Sequence, residues 1–188
     1  MATRSLAASH DWTVADVQAL PDDGTRYEII AGALYVTPSP RYVHQRAVVL
    51  LFELLQPYAR TLHCAVMPLS GDVEYAHDTL VIPDAFVYRD LPGARVRDWA
   101  GIHPLLLVVE VLSRSTRTRD RTVKRALYQA RGIAEYWIID IDARVIERWR
   151  PDSVEAEVVT EQLVWQPVAE RAPLVIDLSG LFRGIAGG

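Results

Sequence analysis

The chain has 188 residues, half of them hydrophobic and 23% charged, which suits one compact domain over residues 1–188 with its core at about 27–150. A formal net charge of −4 excludes a chain-wide basic surface for polyanions, and a lone cysteine, Cys64, excludes an internal disulfide or a cysteine-based zinc cluster. No signal-like segment opens the chain and no apolar run approaches the ~20 residues that span a bilayer, so a cytoplasmic protein without membrane contact is expected.

Thr13 is placed to cap a short helix in which Val14, Val17 and Leu20 recur at helical spacing, ended by Pro21. Tyr27 to Ile30 and Leu34 to Thr37 form a hairpin around Ala31, Gly32 and Ala33, with Glu28 on one face. After a Pro-Ser-Pro break, Tyr42 to Tyr58 is a helix whose apolar stripe includes Val43, Ala47, Leu50, Leu51 and Leu54, and His44 lies in its first turn. Strands follow at Cys64 to Pro68 and Asp72 to Tyr75, joined by a turn at Ser70 and Gly71, and Thr79 to Ile82 leads into a further strand opened by Pro83 and Asp84. Arg89 to His103, which contains Pro92 and Gly93, reads as a loop.

Leu105 to Asp140 reads as strand, polar loop, helix and strand, a βαβ unit. Leu105 to Leu112 is an apolar run of strand length interrupted only by Glu110, and a carboxylate in such a setting needs a metal or a buried base beside it. The helix that follows is expected to bury Val123, Ala126, Leu127 and Ala130, with Gly132 just past its end. Lys124 borders that face and is the only lysine in a chain that otherwise uses arginine. An ammonium can act as a compact point charge in a tight site where a guanidinium cannot; the competing reading is a surface lysine without a task. From Arg114 to Arg131 there are seven basic residues against one acid, Asp120, which makes Arg117, Arg121 and Arg125 candidates for phosphate contact or, alternatively, a solvated helix face. Beyond Asp140, Val145 to Arg150, Ala156 to Thr160 and Leu174 to Leu178 are strand-like, and Gly184 to Gly188 is a short glycine-containing tail.

Taken in order, YEIIAGALYVTPSP with His44 downstream, IPDAFVYRD, LLLVVEVLSRST, Asp120 with Lys124, and YQARGIAEYWIID closely resemble the Uma-two family of restriction-endonuclease-like proteins, in the PD-(D/E)XK nuclease superfamily. The resemblance spans about Tyr27 to Trp149. It implies an α/β fold with a restriction-endonuclease-like core, a central mixed β-sheet flanked by helices, and metal-dependent hydrolysis of phosphodiester bonds, with DNA the expected substrate. Asp84 then matches the first metal-binding acid and Glu110 the second, the backbone carbonyl of Val111 is a further ligand, and Mg²⁺ is the expected ion, with Mn²⁺ as a substitute. The lysine usual two residues after the second acid is absent, since Leu112 stands there, and Lys124 matches a lysine on the following helix that can fill the vacancy. Leu105 and Arg114 replace an aspartate and a proline frequent in the family. Glu28 and His44 also match family motifs, Glu28 as part of the metal shell, a residue orienting a water or an ordinary edge-strand acid, and His44 as a contact to the scissile phosphate, a residue tuning a carboxylate, or a capping or packing residue. Tyr128 and the Glu135, Tyr136, Trp137 cluster are expected to pack. A homodimer stands among the expected assemblies, and the rival functions are a catalytically idle nucleic-acid-binding protein or a hydrolase of another phosphate ester.

Overall fold

A computed structural model describes residues 11–21, 23–68, 71–90, 102 and 104–187. Most of the expected loop from Arg89 to His103, and Ser70 of the expected turn, lie outside the described residues. The first described element is α1 (Val14–Gln18), where Thr13 caps as expected and Asp16 completes a reciprocal capping box. The hairpin β1 (Arg26–Ile30) and β2 (Ala33–Thr37) turns through Ala31 and Gly32, both at positive φ as a tight antiparallel turn requires.

Helix α2 (Tyr42–Thr61) follows, three residues longer than expected. Its buried stripe runs through Ala47, Val48, Leu51, Leu55 and Ala59, while the expected Val43 and Leu54 are exposed. Next come β3 (Cys64–Pro68), β4 (Val73–Ala76), β5 (Thr79–Val81), β6 (Ala85–Arg89) and β7 (Leu105–Val111). The crossover from β7 is α3 (Arg117–Arg119), a π-helical turn (Asp120–Lys124) and α4 (Arg125–Ala130), leading to β8 (Glu135–Asp140) and β9 (Val145–Trp149). The last elements are β10 (Glu157–Val159), β11 (Gln162–Trp165), β12 (Leu174–Asp177) and α5 (Leu178–Ala186).

The central sheet has the order β10-β9-β8-β7-β6-β3 and is mixed, because β7 and β8 pair parallel while its other neighbours are antiparallel. A parallel pair needs a crossover connection, and the α3–π–α4 helix supplies it. A second, antiparallel sheet has the order β2-β1-β5-β4, and β11 pairs with β12.

One face of the central sheet buries Val87, Leu107, Val109 and Trp137 against α2 and α5. Trp165 of β11 completes that core, meeting the Trp137 ring edge-on at 5.8 Å. The expected strand Leu174 to Leu178 is β12, which ends one residue early at Asp177, and the expected glycine-containing tail is helical up to Ala186. Asp177 accepts hydrogen bonds from the N–H groups of Ser179 and Gly180, which starts α5, and Leu178, Leu181, Phe182 and Ile185 bury its apolar stripe. On the opposite face, Phe86, Val108, Tyr136 and Ile138 pack with Ile30, Val73 and Val81 of the second sheet and with Tyr128 of α4.

The crossover helix also departs from expectation. Ala126 and Ala130 are exposed and Val123 and Leu127 half-buried. The side chains driven inside are Thr116, Asp120, Lys124 and Tyr128, spaced four apart. In an α-helix each four-residue step overshoots a full turn by about 40°, so such a stripe would wind away. The wider π-turn between Asp120 and Lys124 takes some of that drift back, keeping the polar stripe against the sheet.

Candidate active site

The register that pairs Ala85 with Val109 continues to set Asp84 opposite Glu110 at the ends of adjacent strands. By strand alternation both side chains stand on the Phe86 and Val108 face, below the crossover helix. Both are almost completely buried, Asp84 at 7% and Glu110 at 4% exposure, so each must find partners. Asp84 Oδ2 accepts the Val111 N–H at 2.8 Å, and Oδ1 lies 3.0 Å from His44 Nε2 and 3.8 Å from an Arg26 guanidinium nitrogen. Glu110 Oε1 accepts from Lys124 Nζ at 2.7 Å and from the Tyr128 hydroxyl at 3.2 Å. Lys124 Nζ is also 2.6 Å from Glu28 Oε1, which places the ammonium between two carboxylates from different sheets.

These contacts set the charge states. Burial pushes the Glu110 carboxyl well above the usual carboxylate range; Lys124 opposes this, and the nearby charges of Asp84, Asp120 and Glu28 add to it. For Asp84 burial acts in the same sense but is outweighed, chiefly by His44 and the Val111 N–H, and its pKa is lowered. Glu28 is lowered too, burial being overcome by Lys124 and Arg119. Lys124 loses solvation yet has its pKa raised by Glu110, Glu28 and Asp120, so it stays an ammonium. Burial raises the Tyr128 hydroxyl well above its ordinary value, which keeps it a donor.

A cavity of about 540 Å³ opens over this constellation, and Glu28, His44, Asp84, Glu110, Val111 and Lys124 all line it. Arg117 lies on its wall beside Asp142, 3.5 Å away. Arg121 and Arg125 are not brought to the cavity. Arg121 donates to Glu147 at 2.8 Å and to Asp140 at 3.0 Å, and Arg125 lies over the Trp149 ring at 4.8 Å while donating to Gln129. The sequence reading also missed cationic wall residues, Arg26, Arg41 and Arg119. Arg119 signals itself only as part of a basic run, and the other two carry no local signal at all.

Among the described residues no group of three or more His, Cys, Asp or Glu side chains is arranged to hold a metal ion. The donor set is instead a pair of hard carboxylates. On Glu110 the hydrogen bonds from Lys124 and Tyr128 both fall on Oε1, and on Asp84 the Val111 N–H takes Oδ2 while Oδ1 faces His44 and Arg26. Two carboxylates suit Mg²⁺, which retains several waters, so the residues present fit such an ion.

A mixed sheet flanked by helices, with two acids on adjacent strand ends below its crossover helix, defines a restriction-endonuclease-like protein. The chain belongs to the Uma2 family, described as "Putative restriction endonuclease", whose model matches residues 14–178. A crystal structure of "a putative nuclease belonging to DUF820" from Anabaena variabilis shares the fold with a TM-score of 0.72 at 20% identity, over 93% of this chain and 99% of that one. No curated protein matches the chain.

Proposed function

We propose that the protein is a metal-dependent nuclease that hydrolyses phosphodiester bonds of DNA, with Asp84, Glu110 and the backbone carbonyl of Val111 holding Mg²⁺ or, in its place, Mn²⁺. The observation that carries this reading is the meeting of Asp84 and Glu110 across adjacent strands with the Lys124 ammonium 2.7 Å from Glu110, beneath an arginine-walled cavity. The description of the Uma2 family, together with that of the solved neighbour as a nuclease, supports a nucleic-acid substrate. When bound, the divalent ion polarises the scissile phosphate and lowers the pKa of a water in its shell.

The chain's own groups supply orientation and charge. Because Lys124 stays an ammonium, it serves by donating hydrogen bonds that orient the attacking water and by offsetting negative charge that gathers on the phosphate oxygens. His44 holds the cavity-side oxygen of Asp84 from the first turn of α2. Arg41, Arg114 and Arg117 on the wall give a local cationic lining to a chain that is negative overall, suited to the phosphates flanking the scissile one.

The test is plasmid cleavage with Mg²⁺, with Mn²⁺ and with chelator, together with calorimetric titration of Mn²⁺. The wild type is expected to nick or linearise DNA only with metal. The Asp84→Ala plus Glu110→Ala protein should lose both cleavage and Mn²⁺ binding. Cleavage that persists in chelator, or equal Mn²⁺ affinity in the double variant, sinks the assignment.

A further inference from the structure

Glu28 is the acid of this constellation that the metal chemistry leaves without a task. It comes from β1 of the second sheet, whereas Glu110 comes from the central sheet, and it is only 2% exposed. Both of its oxygens are filled. Oε1 receives Lys124 Nζ at 2.6 Å and the Ile82 N–H at 2.9 Å, and Oε2 receives Arg119 at 2.9 Å and the Thr37 hydroxyl at 3.4 Å. A carboxylate offers about four lone-pair sites, so these four donors use what Glu28 has. Glu110 differs, with its hydrogen bonds on Oε1 only, and Asp84 is less crowded, with the Val111 N–H on Oδ2 and His44 at 3.0 Å and Arg26 at 3.8 Å from Oδ1.

Leu112, the residue just past the end of β7, occupies the position from which a lysine would be aimed at the water from the strand end itself. Lys124 reaches the same place on a flexible stem from a helix. We propose that Glu28 is a positioning residue that steers the helix-borne lysine to Glu110, and that it does not ligate the metal. This rests on the nuclease reading of the same site. With two of its three N–H donors taken by Glu28 and Glu110, Lys124 presents one fixed donor to the cavity. Glu28 is itself held: its partner Arg119 lies 5.3 Å over the ring of Tyr35, the residue opposite Glu28 in the β1–β2 register. The Ile82 N–H ties it to the segment that leads to Asp84. The second sheet thereby joins the lysine to the strand end carrying the first acid.

The experiment uses Glu28→Gln, which keeps the shape and removes the charge, in the wild-type and Lys124→Ala backgrounds. Because Lys124 is the only lysine, acylation by acetic anhydride followed by mass spectrometry reports its side chain alone among the lysine positions. Glu28→Gln is expected to speed acylation of Lys124, to leave calorimetric Mn²⁺ affinity unchanged, and to lower kcat about ten- to hundredfold, with KM held. In the Lys124→Ala background it should cost nothing further, since the two residues act as a unit. Weaker Mn²⁺ binding in both backgrounds would make Glu28 a ligand and overturn the proposal; so would an unchanged acylation rate. Should Glu28→Gln fail to fold, Glu28→Asp keeps the charge but withdraws it by one methylene, and the same two shifts and the same unchanged Mn²⁺ affinity are expected. A wild type that cuts no DNA refutes the nuclease reading, whereas the acylation measurement still decides whether Glu28 steers the lysine.

Discussion

The two faces of the central sheet are built on opposite terms. Against α2 and α5 the buried cluster is hydrophobic, from Ala47 and Leu51 to Trp137 and Phe182. Beneath the crossover helix the interior includes Glu28, Asp84, Glu110, Asp120 and Lys124 among Phe86, Tyr128 and Tyr136. The apolar face is stabilised in proportion to area removed from water, so it can lose a part and keep the rest. The polar face holds only as a set, because removing one partner from a buried ion pair strands the other charge at a cost of about 3–5 kcal/mol. Stability is thus distributed on one side of the sheet, and the buried charges, with the chemistry proposed for them, are concentrated on the other.

The sharpest way to break the polar face alone is at Lys124. Lys124→Ala should lower metal-dependent plasmid cleavage by about two to four orders of magnitude, the loss typical of a positioned donor or electrostatic group. Lys124→Arg should rescue poorly, since a planar guanidinium does not fit between two carboxylates 2.6 and 2.7 Å from the nitrogen it replaces. Equal cutting by all three proteins, with folding checked by melting, would return Lys124 to a purely structural role. The converse change is Leu51→Ala on α2, a fully buried member of the apolar face. It should cost about 2–5 kcal/mol in denaturant unfolding while cleavage per folded molecule stays level. A matching collapse of cleavage would mean that the two faces are not separable.

The smallest effect separates the arginines. Arg117→Ala should flatten the slope of log affinity against log salt on duplex DNA by about 0.9, as one lost phosphate contact does. Arg121→Ala and Arg125→Ala should leave that slope alone, because Arg121 is clamped by Asp140 and Glu147 and Arg125 is stacked on Trp149. Fluorescence anisotropy over a salt series distinguishes them. Equal flattening by all three would restore the basic run as one phosphate-binding surface.

What could be read in the sequence divides along the same line. The strands of the central sheet announce themselves through apolar runs and turn residues, and Asp84, Glu110 and Lys124 through an ordered series of motifs. Three features stay hidden for physical reasons. Helix α5 is disguised by Gly180, Gly184 and Gly187, although Asp177 as a cap and the spacing of Leu178, Leu181, Phe182 and Ile185 are present. Strand β11 is short, with only Leu163 and Trp165 pointing inward. Hydrophobic periodicity assigns the buried stripe of the crossover helix to Val123, Ala126, Leu127 and Ala130, because it assumes that polar side chains stay in water. Asp120, Lys124 and Tyr128 go inside because their partners come from distant strands. Local spacing cannot show that Glu28, nearly a hundred positions upstream, meets Lys124 at 2.6 Å.

The π-turn at Asp120–Lys124 makes the crossover between β7 and β8 tolerant of chain length. A π-turn amounts to one residue more than the regular winding needs. Removing Thr122 would let the segment relax to an unbroken α-helix, and because the bulge already absorbs one surplus residue, the helix on either side would keep nearly its present orientation. Both ends of the segment are moored, to β7 on one side and to β8 on the other, so a bulge that holds the surplus residue spares those strands a shift in register. A lineage carrying this architecture can therefore gain or lose the bulge by an insertion or deletion of a single codon, with the strands on either side left in place.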